Sequence, residues 1–212
     1  MQLRIKICGI TNLADARAAV EAGADALGFM FYDRSKRSVS GDVVAKITRQ
    51  LPPFVLRVGV FVDPLPDVVH ETIVSCGLTA LQLHGSESPE FCSQFSLPVI
   101  KAFRVANKSS LRQLAGYATS AWLLDSDTSG QLGGSGEKFD WVLAREATKL
   151  GRPVILAGGL TPDNVAQAIH EVRPHGVDVS SGVESAPGKK DVAKIVAFIR
   201  AARAAAAEIQ LP

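Results

Sequence analysis

Eight short runs rich in β-branched and aliphatic residues recur along this chain, each followed by turn residues and then by a segment of helical periodicity. They extend from Arg4 to Cys8, Ala26 to Phe31, Val55 to Phe61, Thr79 to His84, Val99 to Phe103, Ala121 to Asp125, Val154 to Ala157 and Val177 to Ser180. Most are continuously apolar, the pattern of parallel strands buried on both faces. Helical stripes lie between them: Leu13, Ala16 and Val20 before Gly23, and Val165, Ala168 and Ile169 after a Thr161-Pro162 start signal. A last helix opening near Asp191 carries Val192, Ile195, Val196, Ile199 and Ala202 on one face. Repeated strand–helix alternation predicts an α/β chain folded as one (β/α)8 TIM barrel over residues 1–212, with trimmed loops. An open doubly wound sheet is the alternative, but no Gly-x-Gly-x-x-Gly follows an early strand.

Charge excludes some functions. With 23 basic and 21 acidic residues spread along the sequence, the net charge is +2 and no basic run is long enough to neutralise a nucleic-acid backbone. No apolar run reaches the length of a membrane span, and the chain enters a strand at once with no leader-like segment. A cytoplasmic protein with no nucleic-acid or membrane partner is expected. Cys8, Cys76 and Cys92 make neither a disulfide framework nor a close metal-ligand pair, so reduced thiols and no metal are expected.

In a barrel, the carboxyl ends of all strands share one mouth, which is where such folds place their chemistry. Lys6-Ile7-Cys8-Gly9-Ile10-Thr11 puts a cysteine where the first strand ends, before a helix that Thr11 or Asn12 can cap. That cysteine is either a small buried hydrophobe or a reactive thiol. Asp125 ends the sixth run as a loop-capping acceptor or a catalytic acid or base, and His84 before Gly85 is a base or a loop hydrogen-bonder. The turns at Gly158-Gly159 and Ser180-Ser181-Gly182 follow the seventh and eighth runs, where this fold recurrently holds phosphate on backbone N–H groups. The loop from Tyr32 to Ser38 is basic, and Arg37 in it is either solvated or a fork for a ligand carboxylate. A glycine-rich stretch at 129–136 reads as a lid or a flexible connector.

The ordered series Lys6-Ile7-Cys8-Gly9-Ile10-Thr11, Gly28-Phe29-Met30-Phe31 with Ser35-Lys36-Arg37-Ser38, Gln82-Leu83-His84-Gly85, Leu124-Asp125, Gly133-Gly134-Ser135-Gly136 through Trp141, Ala157-Gly158-Gly159-Leu160 and Val177 through Glu184 resembles the phosphoribosylanthranilate isomerase family of tryptophan biosynthesis. The resemblance covers nearly the whole chain. It implies an acid–base Amadori rearrangement of N-(5-phosphoribosyl)anthranilate with no cofactor, Cys8 as general base, Asp125 as general acid and Arg37 on the anthranilate carboxylate. Ser38 stands where many relatives carry a bulkier residue, often Tyr. His84 and Asp178 complete the expected substrate contacts, and Gly158, Gly159, Ser180, Ser181 and Gly182 the phosphate site. The expected partners are this small molecule and other enzymes of the tryptophan pathway, with a monomer favoured over a homodimer. A histidine-pathway isomerase, which uses an aspartate where Cys8 stands, and a non-catalytic phosphate-binding barrel are the alternatives.

Overall fold

The computed structural model describes residues 2–105, 107–125 and 141–209. In it the runs form β1 (Arg4–Cys8), β2 (Ala26–Met30), β3 (Leu56–Phe61), β4 (Ala80–Leu83), β5 (Val99–Arg104), β6 (Ala121–Asp125), β7 (Val154–Leu156) and β8 (Gly176–Val179). Each strand pairs in parallel with the next, and β8 returns to β1, closing the barrel. Parallel neighbours need crossovers. These are α1 (Leu13–Glu21), α2 (Gly41–Thr48), α3 (Pro66–Cys76), α4 (Pro89–Cys92), α5 (Lys108–Leu114), α6 (Trp141–Ala147) and α7 (Val165–Val172), with α8 (Val192–Glu208) after the last strand. Among the described residues no helix is long and apolar enough to cross a membrane.

Local chemistry sets the ends of these elements. Asn12 caps α1, its side chain accepting the Asp15 N–H at 2.9 Å, while the Thr11 hydroxyl donates to the Gly188 carbonyl at 2.6 Å. The start of α7 differs from the sequence expectation. Asn164 accepts from the Thr161 N–H at 2.8 Å and donates to the Gly159 carbonyl at 2.9 Å, which folds residues 161–164 into a turn and delays the helix to Val165. On α8 the buried stripe is Ile195, Phe198, Ile199, Ala202 and Ala205, centred on the fully buried Phe198 ring, so Val192 and Val196 face solvent instead of the core. After β8 the chain makes a 3-10 turn (Ser181–Val183) and a small antiparallel hairpin, β9 (Glu184–Ala186) and β10 (Lys189–Lys190), which the sequence reading did not anticipate.

The core has two layers. Outward-facing Ile5, Ile7, Leu27, Phe29, Val177 and Val179 pack beneath the helices, and inward-facing Ala26, Val58, Ala80, Ile100, Ala102 and Leu123 fill the lumen. The apolar runs therefore conceal a period of two. At the carboxyl end of the lumen that inward register turns partly polar, with Gln82, Asp125 and Asp178 beside Met30 and Ala157.

Candidate active site

A cleft of about 250 Å³ opens at the carboxyl ends of the strands. Of the residues expected to form the site, Cys8, Arg37, His84, Asp125, Gly158, Gly159, Asp178, Ser180 and Ser181 all line it, together with Gln82; Gly182 does not, and stands against the backbone of Leu160, which does. The glycine-rich stretch 129–136 lies outside the described residues.

Strand register assembles the thiol end. Lys6 and Cys8 are two apart on β1 and share its inward face; Lys6 stands opposite Asp178 on β8, and Cys8 opposite Gly28 on β2. The Lys6 ammonium donates to Asp178 at 3.0 Å in a nearly dry environment, with side chains 4% and 9% exposed. A Cβ on Gly28 would come within 2.7 Å of the Cys8 sulfur and 3.0 Å of the Lys6 nitrogen, so the bare glycine leaves room that thiol and ammonium share. Burial alone would discharge Lys6, but Asp178 and Cys8 outweigh it and hold the ammonium above its ordinary value. Burial pushes the Cys8 thiol up, with Lys6 the main influence pulling it down. Cys8 is thus both a buried side chain and a cleft-lining one.

Across the cleft, the His84 Nε2 lies 3.3 Å from the Asp125 carboxylate, and its Nδ1 lies 2.9 Å from the Gln82 amide nitrogen. An amide nitrogen only donates, so in this arrangement Nδ1 accepts and Nε2, on the Asp125 side, carries the proton. Among the described residues the side-chain neighbours of His84 are this strand-end carboxylate and Gln82. Behind it the Lys101 ammonium donates to the Leu83, Gly85 and Ala102 carbonyls at 3.3, 2.8 and 2.9 Å and pairs with Glu87 at 3.1 Å. This fixes the β4 end from which His84 projects.

Arg37 is not a solvated charge. Its Nε and Nη2 both donate at 2.8 Å to Glu184, whose carboxylate also accepts from Lys190 at 3.0 Å. Burial would push Glu184 up, but the hydrogen bonds from Arg37 and Lys190 prevail and keep it ionised. The fork expected to meet a ligand carboxylate therefore already holds one edge against the protein's own, and Nη1, which has no hydrogen-bond partner among the described residues, keeps its N–H groups for another acceptor.

Gly158 and Gly159 have φ of 78° and 63°, the left-handed turn that strands with a side chain would resist. The buried Ser180 hydroxyl makes no hydrogen bond among the described residues and stands 3.0 Å from where a Cβ on Gly9 would lie. A side chain on Gly182 would collide with the Leu160 carbonyl, so the loops after β7 and β8 touch directly there.

The sequence reading missed Lys6, Gln82, Glu184 and Lys190. A lysine two places before the cysteine in an otherwise apolar strand was the available signal for the first; the others needed tertiary pairings. Cys76 and Cys92 lie on α3 and α4, away from the cleft, and burial lifts both thiols, Cys92 to about 11. No group of three or more His, Cys, Asp or Glu among the described residues is arranged to hold a metal ion.

Comparison with known proteins agrees with this geometry. Residues 5–201 match the family model described as N-(5'-phosphoribosyl)anthranilate (PRA) isomerase. An N-(5'-phosphoribosyl)anthranilate isomerase of Trichlorobacter lovleyi is 51% identical over 203 residues, 96% of this chain and 99% of its own, and one of Pelobacter propionicus is 53% identical over 95% of this chain and 96% of its own. The crystal structure of the Thermotoga maritima enzyme superposes with a TM-score of 0.90 at 47% identity, covering 96% of this chain and all of that one. A phosphoribosylanthranilate isomerase crystallised with reduced 1-(o-carboxyphenylamino)-1-deoxyribulose 5-phosphate superposes with a TM-score of 0.88 at 44% identity, over 96% of this chain and 100% of that one. Family model, relatives and fold converge, and the chain belongs to the N-(5'-phosphoribosyl)anthranilate isomerase family.

Proposed function

We propose that this chain isomerises N-(5'-phosphoribosyl)anthranilate to the corresponding 1-deoxyribulose 5-phosphate in tryptophan biosynthesis, with Asp125 as general acid and Cys8 as general base. The observation that carries this reading is that one cleft presents a thiol and a carboxylate from opposite sides of the barrel, between a guanidinium and a glycine-serine corner. Asp125 protonates the ribose ring oxygen as the C1'–O4' bond breaks, and the anthranilate nitrogen lone pair forms the iminium. The Cys8 thiolate removes the C2' proton, and those C–H electrons neutralise the iminium, giving an enolamine. Protonation at C1' and loss of the O2' proton then give the ketone. His84 donates its Nε2 hydrogen to the carboxylate that Asp125 becomes, an interaction stronger after proton delivery than before it.

Binding at the two ends positions the reacting carbons. The phosphate sits against Gly158, Gly159, Ser180, Ser181 and Gly182, where the left-handed glycine turn meets the close approach of Gly182 to Leu160, and the Nη1 side of Arg37 takes the anthranilate carboxylate. Asp178 is the substrate contact beside Cys8. The test is turnover, followed by the fluorescence of the anthranilate derivative, in the wild type and at Arg37. Arg37→Ala raises KM about 10- to 100-fold, the equivalent of about 1.5–3 kcal/mol for a charged hydrogen bond, and Arg37→Lys recovers part of it. Absence of turnover by the wild-type protein, or an unchanged KM for Arg37→Ala, counts against this reading. At the other end Gly182→Ala pushes the two loops apart and weakens binding of a ribose phosphate about tenfold, which titration calorimetry measures, while the circular dichroism of the barrel is retained.

A further inference from the structure

Lys6 is a buried cation for which the acid–base scheme above has no use, and barrels do not need one there, since the neighbouring lumen is filled by alanine and valine. A buried ammonium is costly unless it is paired and hydrogen-bonded. Lys6 is paired with Asp178, but the same nitrogen and the Cys8 sulfur also flank one space that Gly28 leaves open, 3.0 and 2.7 Å from where a Cβ there would stand. The other charged groups near Cys8 are Asp178 on β8, Lys190 on β10 and Arg37 in the loop after β2. Lys190 and Arg37 are both committed to Glu184. Lys6 is therefore the cation that meets the sulfur.

We infer that Lys6 is a positioning residue whose ammonium, oriented by Asp178, stabilises the thiolate form of Cys8 and so supplies the base. The inference rests on Cys8 as the base of the proposed reaction. Asp178 has a double effect in it: it keeps Lys6 charged and aimed, and its own negative charge opposes the thiolate. Removing Lys6 must therefore raise the thiol, whereas removing Asp178 withdraws an opposing charge and the hold on Lys6 together. A lysine that only braces the lumen, out of reach of the sulfur, would leave the thiol where it is.

The experiment is a titration of the Cys8 thiolate by its ultraviolet absorbance in the ligand-free protein, each variant read against the same protein carrying Cys8→Ser, which cancels Cys76 and Cys92. Lys6→Met raises the titration midpoint by about one pH unit or more, a tenfold loss of thiolate at a given pH, and moves the acid limb of kcat/KM upward with it. Lys6→Met leaves a buried carboxylate unpaired and can fail to fold, so the doubly neutral Lys6→Met/Asp178→Asn protein provides the second arm. The ammonium that shares the Gly28 space with the sulfur is gone from the double variant too, and the double variant titrates above the wild type. A midpoint at or below wild type in Lys6→Met or, where that protein does not fold, in the double variant overturns the inference. A wild-type rate in Cys8→Ser would instead defeat the base assignment, whatever the titrations give.

Discussion

Replacing Cys8 by serine leaves the barrel folded and lowers turnover about 10²–10⁴-fold, the range for losing a positioned base. Serine nearly matches the volume and fits beside Gly28, so packing changes little, but its hydroxyl is far too weakly acidic to give an anion beside Lys6. The loss appears in kcat more than in KM, because phosphate and carboxylate ends still bind. The pH profile carries a second sign. Burial pushes the Cys8 thiol up, so a base that must be thiolate gains occupancy as pH rises through neutrality. Wild-type kcat/KM therefore climbs across that range, and the serine variant does not show the same limb. Cys76→Ser and Cys92→Ser, which alter helix ends outside the cleft, serve as controls that keep turnover near wild type.

Asp125→Asn produces a loss of similar size, about 10²–10⁴-fold in turnover. Asparagine keeps the shape and can still meet His84, which lies 3.3 Å from the carboxylate it replaces. It has no proton to give to the departing ring oxygen. Ring opening stalls, while a reduced product analogue binds within about tenfold of wild type, about 1.4 kcal/mol, because that ligand is already open. Stopped-flow turnover and calorimetry on one preparation separate the two effects. Near-normal turnover in a sequenced Asn variant would move the acid role to another group, His84 first.

The strands were legible because parallel barrel strands are buried on both faces and so read as unbroken apolar runs, and no observed strand end differs from the expected one by more than a residue. The cleft residues were legible because their positions follow from where strands end. What remained hidden were pairings between distant segments. The Arg37 loop read as free charge because its partner, Glu184, stands 147 residues later on a hairpin that contains only short, polar strands. Lys6 passed as an ordinary strand residue because its role depends on closure of β1 against β8. The α8 stripe went astray at Val192 and Val196 because periodicity gives a face but not its centre, which the bulk of Phe198 decides.

Those distant pairings give the chain a property that no single residue has. Lys6–Asp178, His84–Asp125 and Arg37–Glu184 each join a residue from the half that runs through β4 to one from the half that begins at β5. The thiol belongs to the first half, the acid and the phosphate corner to the second. A chain still emerging from the ribosome thus holds Lys6 beside the thiol without the Asp178 that orients it, and Arg37 without Glu184, until the last strand docks. Enzymatic activity in this architecture is a reporter of ring closure, silent in every partly assembled form.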